Sequence, residues 1–290
     1  MKIEQTNALS EKQNCETLAL QKRIHKAENL SNKVFLSNEL NIDKEIPCFF
    51  LLYEDNQLVS FLACFFPTQN EVEINGFTDP AYRNRGYFSS LLKKAQSTLE
   101  VLKIPHVVLQ IEAPCNTGKA YCAKRCSSIE RTEYQLSMQK EAWNQTNTID
   151  DEGIHLRKAT IEDAEIYSQI AASAFDDSYQ WCLNYITFIL SDPDRDAFIL
   201  YKEEHVIGVL NVHHISSVRS LLYGIAIAKD FQSQGYGKQM LSMILSLLFS
   251  SGSQEVALEV DNANPRALSL YIHQGFTICF QVDYHVLSLS

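Results

Sequence analysis

Residues 231–238 constrain the fold more tightly than any other part of the chain, because they place two glycines between a strand-like and a helix-like segment. The apolar run 221–228 precedes them and the apolar run 240–249 follows. A glycine lets the backbone approach a ligand closely, since no Cβ is in the way. The free N–H groups of a helix N-terminus attract anions. The segment therefore predicts a cradle for a pyrophosphate or a similar anion.

The glycine pattern separates this cradle from two better-known phosphate loops. The chain has no G-x-x-x-x-G-K-[ST], and no G-x-G-x-x-G that is followed by a ribose-binding acid, so neither a Walker loop nor a dinucleotide fold is expected. What remains is Gln232-x-x-Gly235-x-Gly237. This pattern resembles the acyl-CoA pyrophosphate loop, [RQ]-x-x-G-x-[GA], of the GNAT superfamily of N-acetyltransferases.

A second block, downstream of the loop, resembles the same family. Residues 255–260 have the composition of a short strand, Asn264 is suited to a helix N-cap, and Pro265 is suited to the first helical position. Tyr271 lies on one face of that helix, and Gly275 is typical of its end. The block matches the family's N-x-x-A-x-x-L-Y-x-x-x-G-F segment position for position. Two matching blocks in this order indicate the acetyltransferase fold for this half of the chain.

The length of the chain indicates two domains. A chain of 290 residues is long for one such domain and suits two of about 130–150 residues. Residues 1–140 are predicted to form a degenerate N-terminal acetyltransferase-like domain, 141–153 a polar linker, and 154–290 the catalytic domain. The resemblance implies an α/β fold class with a mixed sheet, in two tandem acyl-CoA N-acyltransferase folds. For 154–290 the expected order is β-α-α-β-β-β-α-β-α-β-β, which ends in two strands at 277–282 and 284–289.

The N-terminal half repeats this plan in a less regular form. Its loop, Arg83-x-x-Gly86-x-Phe88, resembles the loop of the other half, with Phe88 where the family has glycine or alanine. A bulky side chain there argues against tight CoA binding, whereas Arg83 and Arg85 are available to phosphates. Three roles stay open for this half: a second cofactor site without chemistry, a wall of the substrate cleft, or a structural partner. The elements predicted around the loop are strands at 48–53, 58–66, 71–77 and 106–111 and a helix at 89–102.

The resemblance implies acetyl-CoA as co-substrate and no metal. In the family, acetyl-CoA lies between two diverging parallel strands, and its pantetheine arm pairs with strand backbone as an added strand would. By this resemblance Ile225 and Ile227 supply main-chain contacts, and Asn264 contacts the arm from the other side. The strand backbone is also expected to polarise the thioester carbonyl. The residues expected to hold the pyrophosphate are Gln232, Ser233, Gln234, Gly235, Tyr236, Gly237 and Lys238.

The reaction requires a neutral amine, an electrophilic thioester and a proton for the leaving thiolate. Tyr271 is the candidate acid; its pKa of about 10 exceeds the thiol pKa of about 8.5, so the transfer is uphill by roughly 2 kcal/mol and helps as charge develops on sulfur. Glu259 is the candidate base, on the strand face opposite Leu258 and Val260. Some family members carry a carboxylate where this chain has Leu221, which cannot accept a proton. The other candidates for the base are Tyr223, His213, Asp283 and a chain of water molecules.

The charge of the chain bears on its partners. The formal net charge is −10, which argues against a nucleic acid. Residues 151–290 carry 8 Lys+Arg and 17 Asp+Glu, a net charge of −9. This excess either attracts a cationic amine or serves solubility alone. The expected acceptor is a small-molecule or peptide amine. Four acidic residues either bind a polyamine or aminoglycoside or are ordinary solvated loop residues: Asp176, Asp177, Asp192 and Asp194.

Hydropathy and cysteine usage predict a cytoplasmic protein with no membrane partner. No run of 18 apolar residues occurs, and the N-terminal segment has no apolar signal core. The eight cysteines are scattered and have no histidine at metal spacing, as expected for reduced thiols. A monomer is favoured over a homodimer, because two domains in one chain mimic the dimer that single-domain relatives form.

Three functional hypotheses follow. The leading one is an N-acetyltransferase that moves an acetyl group from acetyl-CoA to a primary amine by direct attack. The alternative is a non-catalytic acyl-CoA-binding or scaffold protein, which the altered N-terminal loop and the uncertain base favour weakly. A third, an aminoacyl-tRNA-dependent transferase, is disfavoured by the intact loop at 232–237 and by the acidic charge.

Overall fold

The computed structural model describes residues 1–66, 70–143 and 153–287, which form two compact units. The first unit contains Met1–Glu133 together with Phe280–Ser290, and the second contains Tyr134–Cys279. This grouping differs from the predicted limits 1–140 and 154–290, because it assigns the C-terminal residues to the first unit. Residues 144–152 of the predicted linker lie outside the described residues, so the domain limits stay a prediction.

The first unit is a mixed sheet with three helices. Within it the strand order is β1-β2-β3-β4-β5-β12-β6. Strands β4 and β5 are parallel. The pairs β1–β2, β2–β3, β3–β4 and β5–β12 are antiparallel. Its elements are β1 (Lys2–Thr6), α1 (Glu11–Glu28), β2 (Phe49–Glu54), β3 (Gln57–Phe65), β4 (Glu71–Thr78), α2 (Tyr87–Leu102), β5 (His106–Glu112), α3 (Asn116–Cys122), the first part of β6 (Cys126–Gln139) and most of β12 (Thr277–Leu287).

The second unit repeats this arrangement. Its strands follow the order β12-β6-β11-β10-β9-β8-β7, and β10 and β11 are the parallel pair. Its own elements are β7 (Ile154–Lys158), α4 (Ala164–Phe175), α5 (Tyr179–Ser191), β8 (Arg195–Lys202), β9 (His205–Ser216), β10 (Arg219–Ile227), α6 (Tyr236–Ser250), β11 (Glu255–Asp261) and α7 (Pro265–Gln274).

Helices cover both faces of the second sheet, and each face has its own core. On one face α6 and α7 bury Leu222 and Leu258. On the other face α4 and α5 bury Ile199 and Val209 and pack against Tyr223. Because side chains alternate along a strand, Glu259 belongs to the second face, as predicted. The sheet thus separates the two helical layers along β10 and β11.

Most of the predicted elements are confirmed within two residues, one expectation is wrong, and two elements were not predicted. The two separate final strands are wrong, because Thr277–Leu287 is one continuous strand. The strand Cys126–Gln139 and the helix Glu11–Glu28 had no counterpart in the prediction. The helix begins with a capping box, in which the Ser10 side chain accepts from the Gln13 N–H and the Gln13 side chain accepts from the Ser10 N–H. That Ser-x-x-Gln pattern was the available sequence signal.

No helix among the described residues is long and apolar enough to cross a bilayer.

Candidate active site

Strand β10 carries a bulge just before the glycine loop. Tyr223 pairs with Asn211 and Ala226 pairs with Val209. Between these pairs β10 therefore has one residue more than β9. Gly224 lies in the bulge with a φ of 59°. A bulge leaves backbone groups without a partner in the neighbouring strand and changes the direction in which they point. Bulges are common beside active sites. Strand β10 therefore presents unpaired main-chain groups at Gly224 and Ile225.

Buried polar side chains hold this bulge. Asn211 is almost fully buried, and the Tyr167 hydroxyl donates to its Oδ1 at 2.8 Å. A Cβ added to Gly224 would lie 2.7 Å from Nδ2 of Asn211. The position therefore needs glycine for space as well as for its positive φ.

The two parallel strands separate at the bulge. They pair from Arg219 with Glu255 to Leu222 with Leu258 and no further. Beyond that point Tyr223–Ile227 and Glu259–Asp261 run without mutual pairing. The result is a V-shaped opening whose edges carry free backbone groups. An extended chain can enter it as an added strand would.

The glycine loop follows at the wide end of this opening. The Gln232 side chain donates to the Ile227 carbonyl at 2.9 Å, and the Gln234 side chain donates to the Asp230 carbonyl at 2.9 Å. Both glutamine side chains therefore stabilise the conformation of the loop through hydrogen bonds to backbone carbonyls. Among the described residues, the backbone N–H groups from Ser233 to Gly237 have no partner. These N–H groups fit an anion such as a pyrophosphate.

Gly235 caps α6 and leaves the cradle open. Its φ is 90°, and a Cβ added there would meet no atom within 4 Å. The space that a side chain would fill is thus left for a ligand. The next residue, Tyr236, is buried, and Lys202 contacts its hydroxyl and lies over its ring. Lys202 therefore holds the Tyr236 side chain at the start of α6. The predicted contact of Tyr236 with the pyrophosphate is thus left to its backbone N–H.

Helix α7 brings Asn264 and Tyr271 to the same region. Asn264 is the N-cap, and its Oδ1 accepts from the Ala267 N–H at 3.0 Å. Its amide nitrogen is the group left for a ligand. Tyr271 is 7% exposed and packs edge-on against Phe276, with ring centroids 6.1 Å apart. Gly275 ends the helix with a φ of 102°, as expected.

Burial alone raises the pKa of Tyr271 to about 12. The phenol is therefore protonated across the physiological range, which a proton donor requires. Among the described residues no side chain or backbone group bonds its hydroxyl. Tyr271 can therefore direct its O–H to an incoming group without breaking a hydrogen bond.

Glu259 lies one residue beyond the last β10–β11 pair, at the mouth of the opening. It is exposed, and the Gln135 side chain donates to its Oε1 at 3.1 Å. By strand alternation it shares a face with Tyr223. Its exposed position beside the bulge suits a group that receives a proton from an incoming amine.

The other candidate bases are placed differently. The Tyr223 hydroxyl accepts from Arg195 at 3.0 Å, and burial is the first cause that raises the Tyr223 pKa. A protonated phenol is a poor base at pH 7. Burial, followed by the nearby Arg195 charge, lowers the pKa of His213, so its imidazole is neutral. Asp283 belongs to the first unit, where it accepts from Thr132 and Gln281.

The corresponding loop of the first unit is altered in three ways. Arg83, at the position of Gln232, is bound to Glu28, and Phe88 stands where Gly237 would be. The Phe88 ring would lie 3.0 Å from a Cβ on Gly76, so it covers the β4 edge of the opening. In addition, β4 pairs with β3 in unbroken register and has no bulge. The remaining cavity is about 490 Å³.

One group of side chains in the first unit has metal-ligand character. Donor atoms of Glu71, His106 and Glu130 lie within 4.8 Å of one another. Arg131 already holds Glu71 at 2.8 Å and Glu73 at 2.6 Å, and His106 is in direct contact with Glu130. The Arg131 charge therefore opposes a cation at this place. The expected absence of a metal stays a prediction.

The comparison with family models identifies the class of this protein. The model described as "Acetyltransferase (GNAT) family" matches residues 15–126 and 159–276, which is more than half of the chain. The chain therefore belongs to the GNAT acetyltransferase family, and the match in each half confirms the predicted tandem form.

One curated relative and two solved structures extend this result. N-alpha-acetyltransferase 30 of Schizosaccharomyces pombe (strain 972 / ATCC 24843) is 27% identical over 84 residues, 28% of this chain and 56% of that protein. The match thus spans about half the length of the curated relative. A GCN5-related N-acetyltransferase from Sphaerobacter thermophilus has a TM-score of 0.76 at 14% identity and covers 98% of this chain and 95% of its own.

The second structure is described as a tandem GNAT protein from the clavulanic acid biosynthesis pathway. Its TM-score is 0.71 at 11% identity, with 98% of each chain covered. At such low identity the likeness shows the fold alone. It confirms the predicted fold class of two tandem acyl-CoA N-acyltransferase folds.

The predicted site residues assemble in the second unit, and their roles stay predictions. Ile225, Ile227, the loop 232–238, Asn264 and Tyr271 surround the opening between β10 and β11. Sequence reasoning missed three residues that shape this region: Asn211 and Gly224 at the bulge and Arg266 beside the loop. A glycine in the middle of an apolar strand was the signal for the bulge.

Proposed function

We propose that the second unit transfers an acetyl group from acetyl-CoA to a primary amine. The observation that carries this proposal is the coincidence of three features at the end of β10: the bulge at Gly224, the strand separation after Leu222, and the free N–H groups of the loop. A thioester needs a donor for its carbonyl, its pantetheine arm needs a strand edge, and its pyrophosphate needs an anion cradle. The three features are aligned in that order.

The reaction proceeds by direct attack of the amine on the thioester carbonyl. The amine nitrogen forms the new N–C bond, and the N–H groups at the bulge stabilise the oxyanion that develops. Glu259 receives the proton that the nitrogen loses. The C–S bond then breaks, and Tyr271 directs its O–H to the departing sulfur. The products are an amide and the free thiol of CoA, so no further reactant is needed.

The pKa of Tyr271 decides what kind of help it gives. With a pKa of about 12 against about 8.5 for a thiol, complete proton transfer is uphill by about 5 kcal/mol. Tyr271 therefore acts chiefly as a hydrogen-bond donor while charge accumulates on sulfur. Water or the bulk solution completes the protonation of the thiolate.

The printed name of the curated relative suggests a class of acceptor. The name N-alpha-acetyltransferase 30 specifies an α-amine, and the match covers 28% of this chain. A peptide N-terminus is therefore the first acceptor class to test, with small-molecule amines as the other class. The exposed side chain of Glu259 is accessible to either class of acceptor.

The test combines binding and turnover in the whole chain. Calorimetric titration with acetyl-CoA is expected to give one site per chain, and Gly235→Glu, which fills the open cradle with an anion, is expected to abolish it. Thiol release is then followed with a panel of peptides and small amines. Binding without turnover across the panel would favour the alternative, a non-catalytic acyl-CoA-binding protein. The absence of binding would refute the enzyme hypothesis.

The identity of the base has its own test. Glu259→Gln removes the carboxylate but keeps an amide that Gln135 can still contact, so kcat is expected to fall about 100-fold. His213→Asn is the matched variant for the competing candidate. A large loss in His213→Asn with near-normal activity in Glu259→Gln would reassign the base.

A further inference from the structure

The glycine loop of the second unit has no arginine of its own. Between Gln232 and Gly237 the side chains are uncharged, whereas the loop of the first unit contains Arg83 and Arg85. CoA presents a pyrophosphate and a 3′-phosphate, which are strongly anionic groups. The second unit is acidic as well, and the only cation in the sequence of the loop 232–238 is Lys238, so a further positive charge would offset repulsion.

One side chain brings a cation to this loop from another element. Arg266, in the first turn of α7, donates through Nη2 to the Ser233 hydroxyl at 2.8 Å. Both side chains are exposed. Ser233 has a φ of 65°, and its N–H is one of the free groups of the cradle. The guanidinium therefore lies at the rim of the cradle.

Arg266 differs from the other arginines described in the second unit by its partner. Arg157 pairs with Asp163, Arg195 with Asp192, and Arg219 with Glu255. Among the described residues, Arg266 has no carboxylate within ion-pair distance and contacts a neutral hydroxyl. Its charge is therefore not neutralised locally, and several of its five N–H donors remain available to an anion.

We propose that Arg266 binds a phosphate group of acyl-CoA and adds a guanidinium to a loop whose own cation is Lys238. This assignment rests on the proposed function and adds to it a residue that determines cofactor affinity. The planar fork of a guanidinium suits bidentate contact with phosphate oxygens, while the contact with Ser233 holds the fork over the loop. The charge comes from α7, the helix that also bears Tyr271, so phosphate binding helps to fix that helix at the site.

The test is a binding series on the full chain. Arg266→Gln is expected to weaken CoA binding about tenfold, because one exposed charge-assisted contact is lost. Arg266→Lys keeps the positive charge but not the planar guanidinium. Its affinity for CoA is therefore expected to lie between those of the wild type and of Arg266→Gln. Arg219→Gln, which removes a cation at the opposite end of β10, is the matched control and is expected to bind CoA as the wild type does. Thermal unfolding of each variant checks the fold.

Ligand fragments separate the phosphates. If Arg266 binds the 3′-phosphate, wild type and Arg266→Gln bind 3′-dephospho-CoA equally. If it binds the pyrophosphate, the variant loses the same factor for CoA and for 3′-dephospho-CoA. An equal loss for S-acetylpantetheine, which has no phosphate, would overturn the assignment, because Arg266 would then act by shaping the cleft.

A second result would also overturn it without affecting the proposed function. If Arg266→Gln binds CoA within about twofold of the wild type while Gly235→Glu abolishes binding, the phosphate contact is wrong and the cofactor site stands. If the wild type itself does not bind CoA, the proposed function fails first and the assignment fails with it.

Discussion

The guanidinium of Arg83 is bound to the carboxylate of Glu28 by two hydrogen bonds of 2.7 Å each. Nε of Arg83 donates to the Thr78 carbonyl at 3.0 Å, and the Thr117 hydroxyl donates to the Glu28 carboxylate at 3.1 Å. Arg83 lowers the pKa of Glu28 against the opposing effect of burial, and Thr117 lowers it further. The first unit thus holds its loop arginine on an internal carboxylate, whereas the second unit has Gln232, which donates to the Ile227 carbonyl.

This contrast predicts that a single substitution makes the second loop resemble the first. Gly237→Phe places a ring where Phe88 stands in the first unit, so acetyl-CoA binding is expected to disappear in a calorimetric titration. The matched variant Phe88→Gly is expected to leave one site per chain, because Glu28 still neutralises Arg83. Retained binding in Gly237→Phe, or two sites in the wild type, would show that the loop differences do not decide cofactor binding.

The bulge at Gly224 is expected to be intolerant of any side chain. Gly224→Ala combines a positive φ with a Cβ 2.7 Å from buried Asn211, so the free energy of unfolding should fall by about 2 kcal/mol and kcat should fall as well. Chemical denaturation measures the first effect. Gly237→Ala is the control for packing, because its Cβ meets Leu270 at an ordinary 3.6 Å. Equal stability of Gly224→Ala and the wild type would refute this account of the bulge.

Tyr271→Phe separates the hydroxyl from the packing of the ring. The ring still packs against Phe276, so the unfolding free energy should change by less than about 1 kcal/mol, while kcat should fall about 100-fold. Because the pKa of Tyr271 is raised to about 12, its proton is retained at every pH below about 10. The wild-type profile of kcat/KM is therefore expected to show no descending limb from this group. A normal kcat in the variant would leave Tyr271 a packing residue only.

Glu73 is expected to make the stability of the chain depend on pH. Burial, opposed by the Arg131 charge, raises its pKa from 4.5 to about 7. The folded state thus binds more protons than the unfolded state between these values, so stability is full below pH 4.5 and falls as pH rises through 7. Glu73→Gln should remove this dependence. Relative to the wild type, the free energy of unfolding of the variant should therefore be higher by about 2 kcal/mol more at pH 8 than at pH 5, after allowance for the partial exposure of Glu73. Parallel stability curves would contradict this.

The two halves of the sequence differed in how readily their elements could be predicted. Around the loop, strand, glycine turn and helix follow one another within about 30 residues, so local signals agree with the final contacts. Helix α1 gave a weaker signal because its polar surface is large and only Leu20 and Ile24 among its apolar residues are fully buried. Strand β6 was missed because residues 127–133 are polar except for the exposed Ile129, so they lack the alternation expected of a strand.

The candidate site shows the same division between local and distant information. The loop, the N-cap Asn264 and the helical position of Tyr271 follow from neighbouring residues. The hold of Tyr167 and Asn211 on Gly224 joins residues more than ten positions apart and has no local signature. The contact between Arg266 and Ser233 spans 33 positions and depends on how α7 approaches the loop.

The assignment of Phe280–Ser290 to the first unit has a consequence for how the protein is made. Strand β12 pairs with β5 from Val282 with Glu112 to Val286 with Val108, and those partners are synthesised about 170 residues apart. At roughly 5–20 residues per second, the ribosome adds the second partner many seconds after the first. During that interval the edge of β5 lacks its native neighbour and exposes unpaired backbone groups. Translation speed and chaperone access during that interval should therefore influence the yield of this protein.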